Sequence, residues 1–293
     1  MCNYKSAIAV QDESAKGGFR LLLSPWTESH SELETIFKLN YGPRLNYAKI
    51  EFSPESLATA HQVETYKFNL DEERKPEWFT DEIQDAVIER MKQYVSGIIV
   101  TGDVALLIGG QFVIAPSAKI ECAHAMVISS ICGGTVNAIC GGTVNAIWGG
   151  TVNKICGGTV NEIRGGTVNK ICGGTVNEIR GGTVNAICGG TVNEICGGTV
   201  NAICGGTVNA IWGGTVNAIW GGTVNAICGG TVNEICGGTV NAICCGTVNK
   251  ICGGTVNEIR GYFSGLIGGI YSGATIVKDN RPKEAASATE VKK

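Results

Sequence analysis

The sequence predicts a mainly β chain: a parallel β-solenoid (β-helix) of octapeptide repeats, two octapeptides to a coil, preceded by a small α+β N-terminal domain. Three observations predict it. From Gly133 to Arg260 the phrase Gly-Gly-Thr-Val-Asn-x-Ile-z runs sixteen times without insertion or deletion, with Cys245 once replacing a first glycine. Self-similarity at a fixed short period is the signature of stacked units. Val and Ile never vary inside the phrase, whereas x takes Ala, Lys or Glu and z takes Cys, Trp or Arg. Positions that admit charge face water or a partner, so Val and Ile face a core. Finally, two glycines in every eight residues, beside Thr, Val, Asn and Ile, exclude a helix. The regular aliphatic pair separates the array from a disordered low-complexity tract.

Residues 1–104 read as the α+β domain. Their eleven Lys/Arg against seventeen Asp/Glu give 11 − 17 = −6, whereas residues 132–260 give 6 − 5 = +1. Lys5–Val10 and Phe19–Leu23 predict two strands around a polar turn. "SHSELETIFKLN" places Ser29 and Glu32 at capping-box spacing ahead of Leu33, Ile36 and Phe37. "LNYAKIEF" and "ETYKFNL" alternate with strand period, setting Ala48, Ile50 and Phe52, then Tyr66, Phe68 and Leu70, on one face. Residues 81–95 predict a helix with Thr80 as N-cap and a buried stripe of Ile83, Ala86, Val87, Met91 and Val95.

Residues 105–132 read as degenerate leading coils, because Ile120, Ile128 and Ile131 fall in phase with the later Val and Ile positions. In the array proper, Val136, Ile139, Val144, Ile147, Val152 and Ile155 begin the core series. Val and Ile are three apart, so strict alternation cannot turn both inward. A parity break is expected at the corner residues Asn137, Asn145, Asn153 and their successors, where Asn tolerates left-handed backbone. A second break is expected at Gly-Gly. Stacked Asn residues would then form amide ladders.

Two octets make a flat sixteen-residue coil and three make a triangular one of twenty-four. With sixteen, one outer column reads Cys140, Cys156, Cys172, Cys188, Cys204, Trp220, Cys236 and Cys252, while Arg164, Arg180 and Arg260 share the other with Trp212. Twenty-four scrambles these sets, although duplication of sixteen-residue blocks would leave the same pattern. On the smaller coil, residues 133–260 span about 38 Å at about 4.8 Å per coil. Residues 261–277, richer in bulky apolar side chains, read as a C-terminal cap, and 278–293 as a disordered tail.

Bulk properties narrow the function. The 293 residues are 44% hydrophobic and 17% charged, with a net charge of −3. No apolar run reaches the length of a membrane span, and the opening residues lack a secretory signal pattern. The expectation is a cytoplasmic chain whose fourteen cysteines are mostly thiols rather than disulfides. It lacks the basic excess of a nucleic-acid binder. His30 and His61 read as solvated or capping residues, since neither has a nucleophile or metal-ligand spacing beside it. "SGIIVTGDVALLIGG" is neither a phosphate loop nor a dinucleotide fingerprint. The chain is therefore expected to be no enzyme and to need no cofactor or metal.

The candidate interface is the outer set Cys140, Cys156, Cys172, Cys188, Cys204, Trp212, Trp220, Cys236 and Cys252. Cysteine there serves as a small hydrophobe and the tryptophans as anchors, either for a second copy of the chain or for a cellular protein. The Thr-x-Asn step on every strand offers a second class, a water-ordering or ice-binding surface. A DNA-mimic inhibitor of the pentapeptide-repeat type is a third, opposed by the near-neutral repeat.

"YAKIEFSPES", "EERKPEWFTDEIQDAVIERMKQYV", "TGDVALLIGGQFVIAPSAKIE" and the array together resemble a group of bacterial and phage-encoded octapeptide-repeat proteins of unassigned function. The likeness covers nearly the whole chain. It implies a small N-terminal domain leading into a β-solenoid, often in phage or mobile-element neighbourhoods, and brings no catalytic residues. The Gly-Gly-Thr-Val-Asn core here is more uniform than that group's pattern.

Overall fold

The computed structural model describes residues 5–24, 29–39, 46–71, 74–124, 127–260, 270–271, 274–280 and 291–292. The chain divides into two compact units, residues 1–100 with 110–113, and residues 101–109 with 114–293.

In the first unit, β1 (Lys5–Gln11), β2 (Phe19–Leu22), β3 (Tyr47–Ser53) and β4 (Lys67–Leu70) form an antiparallel sheet in the order β2-β1-β3-β4. Alternation on β3 buries Ala48, Ile50 and Phe52. Helix α1 (His30–Ile36) starts where Ser29 accepts the Glu32 N–H, and its Leu33 packs with Ile8, Val10 and Leu39. Helix α2 (Asp81–Ile98) starts at Thr80, whose hydroxyl accepts the Ile83 N–H. Its buried stripe is Val87, Met91 and Val95. Ile83 and Ala86, expected in that stripe, are only half-buried.

The second unit is a parallel β-solenoid of two sheets. Thr135 pairs with Thr151, Val136 with Val152 and Ile139 with Ile155 in the first sheet; Thr143 pairs with Thr159 in the second. The repeat along each sheet is thus sixteen residues, which removes the twenty-four-residue coil. Each octet contributes one five-residue strand from Thr to Ile, such as Thr167–Ile171 or Thr175–Ile179. Val136, Ile139, Ile147, Val152 and Ile155 are 0% exposed and Val144 is 1% exposed, as are their successors up to Ile259 at 0%. Each such side chain contributes about 1.5–3 kcal/mol on burial. Pairing continues into the corners. The Cys156 N–H donates to the Ile139 carbonyl at 2.8 Å, and the Thr159 N–H donates to the Gly142 carbonyl at 2.8 Å.

The two corner glycines answer different constraints. Gly158 has φ +74°, and a Cβ there would lie 2.7 Å from the Gly141 carbonyl carbon. The preceding Gly157 has no such φ, but its Cβ would meet the Cys140 carbonyl oxygen at 2.7 Å. Coils are therefore stacked too closely at the corner for a side chain. Cys245 is the exception, and its sulfur lies against the Cys228 carbonyl.

The expected left-handed Asn is corrected. Among described residues only Lys38 combines a side chain with positive φ. Asn137 lies within the strand Thr135–Ile139 without a positive φ, and the register pairs Val136 with Val152 and Ala138 with Lys154 on either side of it. Its carboxamide is paired too. Asn153 Nδ2 donates to Asn137 Oδ1 at 2.6 Å and Asn161 Nδ2 to Asn145 Oδ1 at 3.1 Å. Fourteen such links run in two columns, all donating toward the N-terminal neighbour. At the start of one column Asn137 donates to Glu121 at 2.5 Å.

Both ends continue the register. Ile120 pairs with Val136, Ile128 with Val144 and Ile131 with Ile147. After the array, Ala274–Asn280 adds a strand on Gly254–Arg260, with Thr275 opposite Thr255 and Ile276 opposite Val256. This strand crosses the boundary expected between cap and tail, so Lys278, Asp279 and Asn280 lie within it, opposite Glu258, Ile259 and Arg260. Residues 261–269, the start of the expected cap, lie outside the described residues.

Candidate functional site

A coil of two strands has two corners, one at each edge, and the z residue opens each corner. The first edge follows the strands of the first sheet and carries Cys140, Cys156, Cys172, Cys188, Cys204, Trp220, Cys236 and Cys252. The second edge carries Trp148, Arg164, Arg180, Cys196, Trp212, Cys228, Cys244 and Arg260. Of the nine candidate interface residues, eight stand on the first edge and Trp212 on the second, as the sixteen-residue columns predict. Trp212 stands at one edge and Trp220 at the other, half a coil apart. They are 54% and 63% exposed.

The first edge is a row of thiols. Cys156, Cys172, Cys188, Cys204 and Cys236 are exposed, whereas Cys140 and Cys252 are half-buried. Neighbouring sulfurs approach at both ends of the row, Cys122 to Cys140 at 2.8 Å and Cys236 to Cys252 at 2.6 Å. Contact with Cys122, then burial, pushes the Cys140 thiol up to about 11. Burial, then the Cys252 sulfur and the Glu234 carboxylate, push the Cys236 thiol up to about 12. Both are neutral thiols near pH 7.

The second edge is charged but internally paired. Arg164 binds Glu162, Arg180 binds Glu178 at 2.5 Å, and Arg260 binds Glu258 at 2.6 Å. Arg164 also lies over the Trp148 ring at 4.7 Å. These neighbours hold the Arg180 and Arg260 guanidiniums above their ordinary range, and Arg260 holds the Glu258 carboxyl below its own. The Arg column is thus no free anion-binding stripe. The signal was present in the sequence, since every Arg at z follows a Glu at x two residues earlier.

In the first unit His30 is buried rather than solvated, whereas His61 is half-buried. His30 is 5% exposed, with Nε2 3.0 Å from the Ile50 carbonyl oxygen and Nδ1 3.0 Å from Asp71 Oδ2. Burial of its aromatic body at the start of α1 is bought with both ring nitrogens in contact. His61 Nδ1 is buried and makes no hydrogen bond. A cavity of about 430 Å³ lies beside Val10, Leu22, Phe37 and Leu39, with Asp12 and Arg20 at its polar side. That carboxylate and guanidinium bind each other.

Two groups of ligand-type atoms converge within 4.8 Å among the described residues, His30 with Glu51 and Asp71, and Glu234 with Cys236 and Cys252. No described helix is long and apolar enough to cross a membrane. Compared with protein-family models, curated proteins and solved structures, the chain matches none.

Proposed function

We propose that the chain is a non-enzymatic scaffold that associates with further copies of itself along the edges of its solenoid. The observation that carries this reading is the pair Trp212 and Trp220, 54% and 63% exposed at opposite edges of neighbouring half-coils. An exposed tryptophan gains most by burying its ring in a partner. With one anchor on each edge the unit is bivalent, so copies add side by side beyond a dimer. The salt-bridged second edge supports the same reading, because paired charges carry little net repulsion between copies.

Sedimentation velocity of the full chain tests it. The native protein is expected to form species larger than a dimer with rising concentration. Trp212→Ala or Trp220→Ala alone stops that growth, and the double substitution leaves a monomer. A native chain that stays monomeric at high concentration would overturn the proposal.

A second reading, water ordering, has its own observation. Thr columns stand in strict register on both sheets, and the x position is uncharged over three successive coils at Ala186, Ala202 and Ala218 and again at Ala210, Ala226 and Ala242. Thermal hysteresis in dilute solution, lost in Thr199→Lys with Thr215→Lys, is its expected result; no hysteresis removes it.

A further inference from the structure

The geometry points to a binding site for one divalent thiophilic cation of the zinc class, formed by Glu234, Cys236 and Cys252 on the first edge. It is independent of the association reading. Glu234 is the x residue of the strand Thr231–Ile235, Cys236 opens the following corner, and Cys252 opens the same corner one coil later. Their ligand atoms lie within 4.8 Å of one another, with the sulfurs 2.6 Å apart and Cys236 Sγ 3.5 Å from Glu234 Oε2.

Two thiolates and a carboxylate are three ligands of a tetrahedral zinc-class site, leaving the fourth position to solvent. Two sulfurs on one such ion stand about 3.8 Å apart, from metal–sulfur bonds of about 2.3 Å. The stacked corners allow that separation by side-chain rotation alone, because neighbouring coils already stand about 4.8 Å apart. Binding replaces two thiol protons, which leave to solvent, and the ligand set of charge −3 with a 2+ ion carries −1.

The array offers this set once. A carboxylate at x, a thiol at the following z and a thiol at the next z of the same edge coincide only here. Glu162, Glu178 and Glu258 precede arginines, and Glu194 precedes Cys196, whose edge neighbours are Arg180 and Trp212. The remaining thiols of the first edge follow Ala or Lys. Reading the cysteines as one line hides the site, because its third ligand comes from the sheet face. Lys250 pairs opposite Glu234 and its Nζ lies 3.6 Å from that carboxylate, so it competes with the ion.

Cobalt(II) is the probe, added to the full chain under a phosphine reductant, with zinc(II) as competitor. Expected is a thiolate-to-cobalt charge-transfer band with tetrahedral visible bands, saturating near one equivalent and erased by zinc. Cys236→Ser and Cys252→Ser lose the band, and Glu234→Gln weakens binding tenfold or more. Lys250→Gln tightens it several-fold, a gain that a merely structural role would not produce. Cys188→Ser, in the same column outside the site, leaves it unchanged, and circular dichroism checks that each variant keeps its strands. No charge-transfer band in the native chain overturns the proposal, as does equal loss in Cys188→Ser. An intact mass showing a Cys236–Cys252 disulfide that survives the reductant overturns it too.

Discussion

The two units bury apolar surface in opposite ways. In the first, every buried position is unique: Leu33 meets Ile8 and Val10, Arg90 stacks on Phe19 at 4.2 Å, and nothing recurs. In the solenoid, each buried Val or Ile lies between copies of itself, as Ile179 does between Ile163 and Ile195. The lesson concerns tolerance. A unique site can relax around a change, whereas a stacked site has identical neighbours on both sides that cannot move without displacing the next coil.

The largest test of that contrast removes a core side chain from each unit. Ile179 and Met91 are both 0% exposed. Ile179→Ala is expected to destabilise the solenoid by about 4 kcal/mol, toward the upper end for such truncations, and Met91→Ala to destabilise the first unit by about 2–3 kcal/mol. Denaturant melts of the full chain, with hydrogen exchange assigning each transition to its unit, read both. Equal losses would break the contrast.

A single chemical change, glycine to alanine, should then change sign between units. Gly174 has φ +71°, and its Cβ would lie 2.8 Å from the Gly157 carbonyl carbon, so Gly174→Ala costs the solenoid about 3 kcal/mol. Gly97, in α2, has open space where its Cβ would go, so Gly97→Ala stabilises the first unit by about 0.5–1 kcal/mol. The same melts check both. A tolerated Gly174→Ala would mean that the corners are looser than their stacking indicates.

The amide ladder sharpens the comparison further, because no counterpart runs through the first unit's described strands. Asn177 donates to Asn161 and accepts from Asn193, both at 2.9 Å. Asn177→Ala removes both links and is expected to cost about 1–2 kcal/mol, since the groups left behind are half-exposed and partly regain water. A loss as large as that of Ile179→Ala would show that the ladder, rather than the aliphatic axis, holds the coils.

How much of this was legible follows the same division. The inward Val and Ile, the sixteen-residue coil and the Asn pairing could be read because sixteen near-identical copies separate what varies from what does not. The means of the parity change could not. Turn chemistry favours Asn as a left-handed residue, whereas the backbone keeps it inside the strand without a positive φ. The first unit's strands and helices followed from alternation and capping, but its buried polar groups did not. His30 is buried because Asp71 and Ile50 meet it, and Lys5, at 1% exposure, because Gln111 does, 106 residues away. No local pattern encodes partners at that distance. The separate edges of Trp212 and Trp220 were legible too, because eight-residue spacing on a sixteen-residue coil puts them at opposite corners.

The smallest expected effect lies where irregular sequence meets the perfect repeat. Cys122, in the leading strand Lys119–His124, stands in the register position that Ala138 takes one coil later. Contact with Cys122 is the main cause that pushes the Cys140 thiol up to about 11. A raised thiol pKa means less thiolate below it, so at pH 8 Cys140 holds only about one part in a thousand as the nucleophile. Iodoacetamide labelling of Cys140, followed by peptide mass mapping, should therefore be slow at pH 8 and rise about tenfold per pH unit to near pH 11. Cys122→Ala removes the contact and moves that rise to lower pH, without altering the melt of the array beyond about 0.5 kcal/mol. A labelling rate that already levels off by pH 9 in the native chain would show that the leading coil holds its thiol apart from the first repeat.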